Sequence, residues 1–185
     1  MKPTEVLKNE HRKIEQVLDC LEVMADRCES HQSFDADSAR KAISFFRNYA
    51  DSFHHMKEED HLFPVLEKRG IPRENGPLEV MLFEHARGRD CLKAMDDSLD
   101  ALSGGESGAD SRFANAAREY LRLLRDHIEK EEHCLFTMAD QVLTEADQGS
   151  LSEAFEALHT TCSESGEYRK YLETADSLGE EFGVD

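Results

Sequence analysis

One ten-residue segment occurs twice, and its recurrence restricts the chain to few folds. HHMKEEDHLF at 54–63 lines up with HIEKEEHCLF at 127–136, identical at six of ten positions. A second pair supports the alignment: NEH ends at His11 and FEH ends at His85, each eight residues after a proline, Pro3 and Pro77. The separations are 73 and 74 residues, so the chain reads as two copies of one helical hairpin.

Apolar spacing supplies the helices. Leu7, Ile14, Val17, Leu18, Leu21 and Met24 recur at helical intervals, with Pro3 in the first turn, and predict a helix over about 3–28. SHQSFDADS is a loop, and a second helix is predicted over about 37–68, with Pro64 expected to kink or end it locally. RGIPRENGP breaks the chain, and Pro77 starts a third helix that ends near Leu102. SGGESGADS is a flexible connector, followed by a fourth helix over about 111–145. After EADQGS a fifth helix is predicted over about 150–176. The expected fold is all-α: an up-down-up-down four-helix bundle over 1–146, with 147–185 as a helical extension packed on its outside.

Residues i and i+4 lie one turn apart on one helix face. His54 and Glu58 therefore point together, as do His127 and Glu131, and Leu62 and Leu135 continue those faces toward a core. In a hairpin the start of one helix meets the end of its neighbour, which brings His11 and His85 to the same level. Burying such groups unpaired costs several kcal/mol each. One His-x-x-x-Glu is usually a surface pair, but a pair repeated in register, with an added histidine per copy, is a site. Four imidazoles and two carboxylates suit one divalent transition-metal ion or, with two matched half-sites, two, bridged by the carboxylates. His11, His54, Glu58, His85, His127 and Glu131 are the predicted metal ligands; no catalytic residue is assigned.

The remaining polar residues rank lower. His55 aligns with Ile128 and is expected beside the site, hydrogen-bonded to it. Glu59 and Glu132 are expected to point outward or to support the ligands, while Glu15 and Arg89, which do not match, fall outside the ligand set. His31, His61, His133 and His159 have no matched partner and are expected in solvent.

Composition excludes several classes. A net charge of −18 argues against nucleic acid and anionic membranes as partners. No apolar run spans a bilayer, and MKPTEVLKNEHRK contains no apolar leader. Five widely spaced cysteines without a CxxC fit reduced thiols in the cytoplasm, with Cys134 notable for following a histidine-rich segment.

At these residues the chain resembles the hemerythrin-like (HHE cation-binding) family over about 4–140. The pattern H…HxxxE…H…HxxxE is filled by His11, His54-x-x-x-Glu58, His85 and His127-x-x-x-Glu131, flanked by KEEDHLFP, EHARGR and KEEHCLF. The resemblance implies a four-helix bundle around a non-haem di-iron centre, bridged by the glutamates and by oxo or hydroxo when oxidised. There are departures. Oxygen-carrying hemerythrins have a further histidine one turn before the position of His85, where Met81 stands here. Their last carboxylate is an aspartate five residues after its histidine, where Glu132 stands. One iron thus lacks a histidine, and water, His55 or Tyr120 could take its place. That puts reversible O₂ storage in doubt and favours an exchangeable position.

The leading expectation is a protein that binds or senses a small oxidant such as O₂, NO or peroxide, rather than an enzyme. Iron donation during repair of iron–sulfur clusters is a second reading, weakened by the lack of a preceding paired-cysteine domain. An iron-responsive regulatory module, meeting a protein partner through 147–185, is a third.

Overall fold

The computed structural model describes residues 1–30 and 35–184, so His31 lies outside the described residues. Within them the chain forms six helices and no strand. Helix α1 is Pro3–Glu29. Helix α2 covers 36–68, as Ala36–Phe45 and Phe63–Lys68 in α geometry with π segments Phe46–His55 and Lys57–Leu62 between them. Helix α3 is Pro77–Ser103, and α4 covers 109–142, with a π segment at Glu131–Leu135. Helices α5 (Glu145–Glu164) and α6 (Glu167–Phe182) complete the chain.

The first four helices form the predicted bundle, with α1 and α3 each packed between α2 and α4. Their limits follow local chemistry. Pro3 and Pro77 stand in first turns, where a missing N–H costs nothing. The fourth helix stops at Val142, short of the predicted 145, because Leu143 turns extended and Thr144 caps the next helix. The Thr144 hydroxyl accepts from the Asp147 N–H while the Asp147 carboxylate accepts from the Thr144 N–H. Pro64 does not end α2. It sits in the first turn of Phe63–Lys68, directly after the wide-turned Lys57–Leu62. A proline has no N–H for the carbonyl four residues back, and its ring crowds that turn; a π turn relieves the crowding.

The segment predicted as one helix over 150–176 is two. Gly166, at φ +79, takes the left-handed conformation that ends α5 and starts α6. Both lie against the bundle. Arg69 holds Asp147 through two hydrogen bonds of 2.8 and 2.9 Å. Gly179 lets α6 approach α1 closely, since a Cβ there would lie 2.6 Å from Gln16 Nε2.

The buried apolar residues fall into two clusters. The larger holds Ile14, Leu18, Phe46, Phe53, Leu92, Tyr120 and Leu124, joined by Ala175, Leu178 and Phe182 of α6. The smaller holds Leu7, Leu62, Phe63, Met81, Leu135 and Phe136, joined by Leu151 and Phe155 of α5. Between them lies a buried polar layer: His11, His54, His55, Glu58, His85, His127 and Glu131. No helix among the described residues is long and apolar enough to cross a membrane.

Candidate metal centre

His11, His85 and His127 stand on regular α-helix, whereas the segments that carry His54, His55, Glu58 and Glu131 depart from α geometry at the site. His54 and His55 end one π segment, Glu58 lies in the next, and Glu131 opens the third. In an α-helix neighbouring residues diverge by about 100°, which would turn either His54 or His55 away from the bundle. A wider turn reduces that divergence, and both imidazoles are buried.

The six predicted ligands are brought together, with His55 among them. One group comprises His11, His54, Glu58 and Glu131; the other comprises His55, Glu58, His85 and His127, with donor atoms within 4.8 Å of one another in each. Glu58 faces both halves, at 3.8 Å from His54 Nε2 and 3.5 Å from His85 Nε2. Glu131 does the same, at 3.2 Å from both His11 Nε2 and His127 Nε2.

The outer faces of the imidazoles are fixed by carboxylates. His11 Nδ1–H donates to Glu132 at 2.9 Å and His85 Nδ1–H to Glu59 at 2.6 Å. His54 donates to Glu10 and His127 to Glu84, each at 3.0 Å. His55 reaches Asp51 at 3.4 Å. Cations hold these carboxylates in turn: Lys57 pairs with Glu10, Lys130 with Glu84, Arg12 with Glu132, and Arg89 with both Glu59 and Asp51.

With each Nδ1 donating outward, Nε2 keeps its lone pair and turns inward. His11 Nε2 then meets His54 Nε2 at 3.1 Å, and His85 Nε2 meets His127 Nε2 at 3.1 Å. Two lone pairs at that distance repel. The four oxygens of Glu58 and Glu131 are buried and accept no hydrogen bond. Such groups are costly unless a cation satisfies them. Without one, protons must stand in. Burial, then the charge of Glu131, raises the Glu58 pKa well above the usual carboxylate range. For His127, burial acts to lower the pKa, but Glu131 and Glu84 outweigh it and raise the value to about 9. Burial lowers the pKa of His54 and His55 well below the ordinary imidazole value, keeping both neutral as metal coordination requires. Imidazole nitrogens and carboxylate oxygens of this count fit a pair of first-row transition-metal ions.

The two halves differ at one repeat position. His55 aligns with Ile128, and its ring stacks on His85 at 3.8 Å between centroids. The half that lacks an imidazole at Met81 therefore receives one from α2, and Met81 itself lies buried in the apolar cluster below. His55 is more central than predicted. Beside this half is a cavity of about 10 Å³, lined by His55, His85, His127, Gly88, Tyr120 and the exposed Arg89. That is roughly the room one water molecule needs.

The other predictions sort readily. Glu59 and Glu132 hold imidazoles rather than face the centre, as expected for supporting residues. Glu15 bonds Arg12, which bonds Glu132, so it stands two contacts from the site. His133 is exposed, but His61 and His159 are half-buried, His61 against the edge of Phe155 and His159 against Tyr168. The causes lie in the C-terminal helices: α5 covers His61 on the bundle, and α6 packs back on His159 of α5. All five cysteines are free and Cys134 is exposed. The residues missed altogether are Glu10, Glu84, Lys57 and Lys130. They match between the repeats, and that signal could have found them.

Residues 2–139 match the hemerythrin HHE cation binding domain. The chain is also 22% identical over 152 residues to uncharacterized proteins of Mycobacterium tuberculosis and Mycobacterium bovis. The aligned region is 82% of this chain and 59% of theirs, so the chain spans about three-fifths of the length of these relatives. No solved structure matches the chain.

Proposed function

Because the chain belongs to the hemerythrin HHE cation-binding family, we propose that it holds two iron ions and binds or senses a small oxidant such as O₂, NO or peroxide. The observation that carries this reading is the set of four buried carboxylate oxygens without hydrogen-bond partners, facing two groups of imidazole nitrogens. In this reading His11 and His54 would hold one ion, His55, His85 and His127 would hold the other, and Glu58 and Glu131, which face both groups, would be shared between them. A bound iron pair would supply redox-active, Lewis-acidic chemistry there.

The protein groups do the rest. The carboxylates on Nδ1 fix the tautomer and orientation of each ring and increase its basicity. The two apolar clusters keep bulk water from the layer. The cavity between Gly88 and Tyr120 has room for a ligand about the size of one water molecule beside His55, His85 and His127, which supports a small-molecule role over one with a bulky substrate. Tyr120 is buried, and burial raises its pKa well above the ordinary phenol value, so its hydroxyl stays protonated.

The test is spectroscopic titration of iron-loaded protein with azide in air and with nitric oxide under anaerobic conditions. A saturable optical change at one ligand per iron pair is expected. A protein that retains two irons and shows no change with either ligand would refute the binding function.

A further inference from the structure

The repeat places the same lysine–glutamate–histidine chain in both halves of the site, but only one of them is covered. Lys57 pairs with Glu10, which accepts from His54; Lys130 pairs with Glu84, which accepts from His127. The glutamates are equally sheltered, at 9% and 10% exposure, whereas the lysine side chains are 1% and 44% exposed. The difference comes from one group outside the duplicated region and one repeat position within it. Helix α5 packs on α1 and on Lys57–Leu62, with the buried Phe155 ring centroid 5.9 Å from Lys57 Nζ. On its other side Lys57 Nζ lies 3.4 Å from the Phe53 centroid, where the repeat counterpart is Asp126.

The covered chain supports the poorer half-site. His11 and His54 are two imidazoles; the opposite group has three. We propose that the C-terminal helices hold the two-histidine half-site shut. Phe155 seals the Lys57–Glu10–His54 chain against water, which keeps His54 in place in the half-site that has fewer imidazoles. Lys57 and Phe155 are positioning residues; Lys130 holds Glu84 in the same way but from an exposed position that nothing seals. The proposal rests on the two-metal reading above.

The test follows release of iron from loaded, full-length protein to an excess of chelator. Loss of a partner that orients a metal-bound histidine weakens metal binding by about 10–100-fold. Phe155→Ala and Lys57→Met should therefore each speed release of one iron per chain by about tenfold or more and leave the other unchanged. Lys130→Met should speed release less than Lys57→Met does, since Lys130 is 44% exposed and water can take its place on Glu84. Lys57→Arg and Phe155→Leu should restore most of the slow release. A readout independent of metal is amine labelling of the metal-free protein: Lys57 should react far more slowly than Lys130 and become reactive in Phe155→Ala. Unchanged release in Phe155→Ala, equal acceleration of both irons, or Lys57 reactivity matching that of Lys130 would overturn the proposal. If two irons remain bound, those results leave the two-metal reading standing; a chain that binds no metal would overturn both.

Discussion

Glutamine in place of Glu58 should destabilise the metal-loaded protein yet stabilise the metal-free one, and the second effect should grow with pH. Glu58 is wholly buried, and neither carboxylate oxygen accepts a hydrogen bond. Burial and the neighbouring Glu131 raise its folded pKa well above the ordinary 4.5. A raised carboxyl pKa means that the folded chain holds its proton more tightly than the unfolded chain does. The contribution is fully present below 4.5 and is lost as pH rises toward the folded pKa. The loss is about 1.4 kcal/mol for each pH unit of that interval. Glutamine has no such proton to lose. In chelator the variant and wild type should melt together near pH 4.5, and above it the variant should gain roughly 3–5 °C per unit for a chain of this size. With metal the sign reverses, because an amide cannot bridge two cations as a carboxylate does. A metal at a few hundred times its dissociation constant contributes about 3–4 kcal/mol, and much of that should disappear. Calorimetric melting across pH, with and without chelator, reads both effects. A variant less stable than wild type under both conditions at neutral pH would refute the account of an uncompensated carboxylate.

Three further outcomes follow from the site. His55→Leu, which imitates the apolar residue of the other repeat, should reduce bound iron from two ions toward one, as measured by metal analysis; two retained irons would return His55 to a supporting role. Alanine at Glu58 or Glu131 should abolish stable loading. At Glu59 or Glu132 it should weaken affinity by about 10–100-fold, and equal losses at all four positions, read by competition with a chelator, would show the register to be wrong. Gly88→Ala should raise stability by about 0.5–1 kcal/mol, since the glycine lies inside a helix. The same methyl, 3.6 Å from Tyr120 Cε2, should slow azide and nitric oxide binding by occupying the cavity. Unchanged binding rates would place ligand entry elsewhere.

Much of this architecture was legible because the duplication makes the sequence its own comparison. The four bundle helices and the six matched ligand positions come from one alignment of 54–63 with 127–136 and of His11 with His85. The same device hid what is asymmetric. His55 faces Ile128 in the alignment and was ranked below the matched residues, although two π turns direct it inward. Those turns leave no plain sequence signal, because Pro64 is equally compatible with a kink or an end. Glu10 and Lys57 were visible as repeat matches but were assigned no role. The burial of Lys57 goes with α5, a long-range contact that no local spacing encodes. The break at Gly166 was a local signal overlooked within a segment otherwise good for helix.

The central claim is that the duplicated motif builds two metal sites sharing two carboxylates. Metal analysis of aerobically purified protein, with its optical spectrum, tests it most directly. Two irons per chain with near-ultraviolet charge-transfer bands are predicted, and a single zinc without such bands would contradict it.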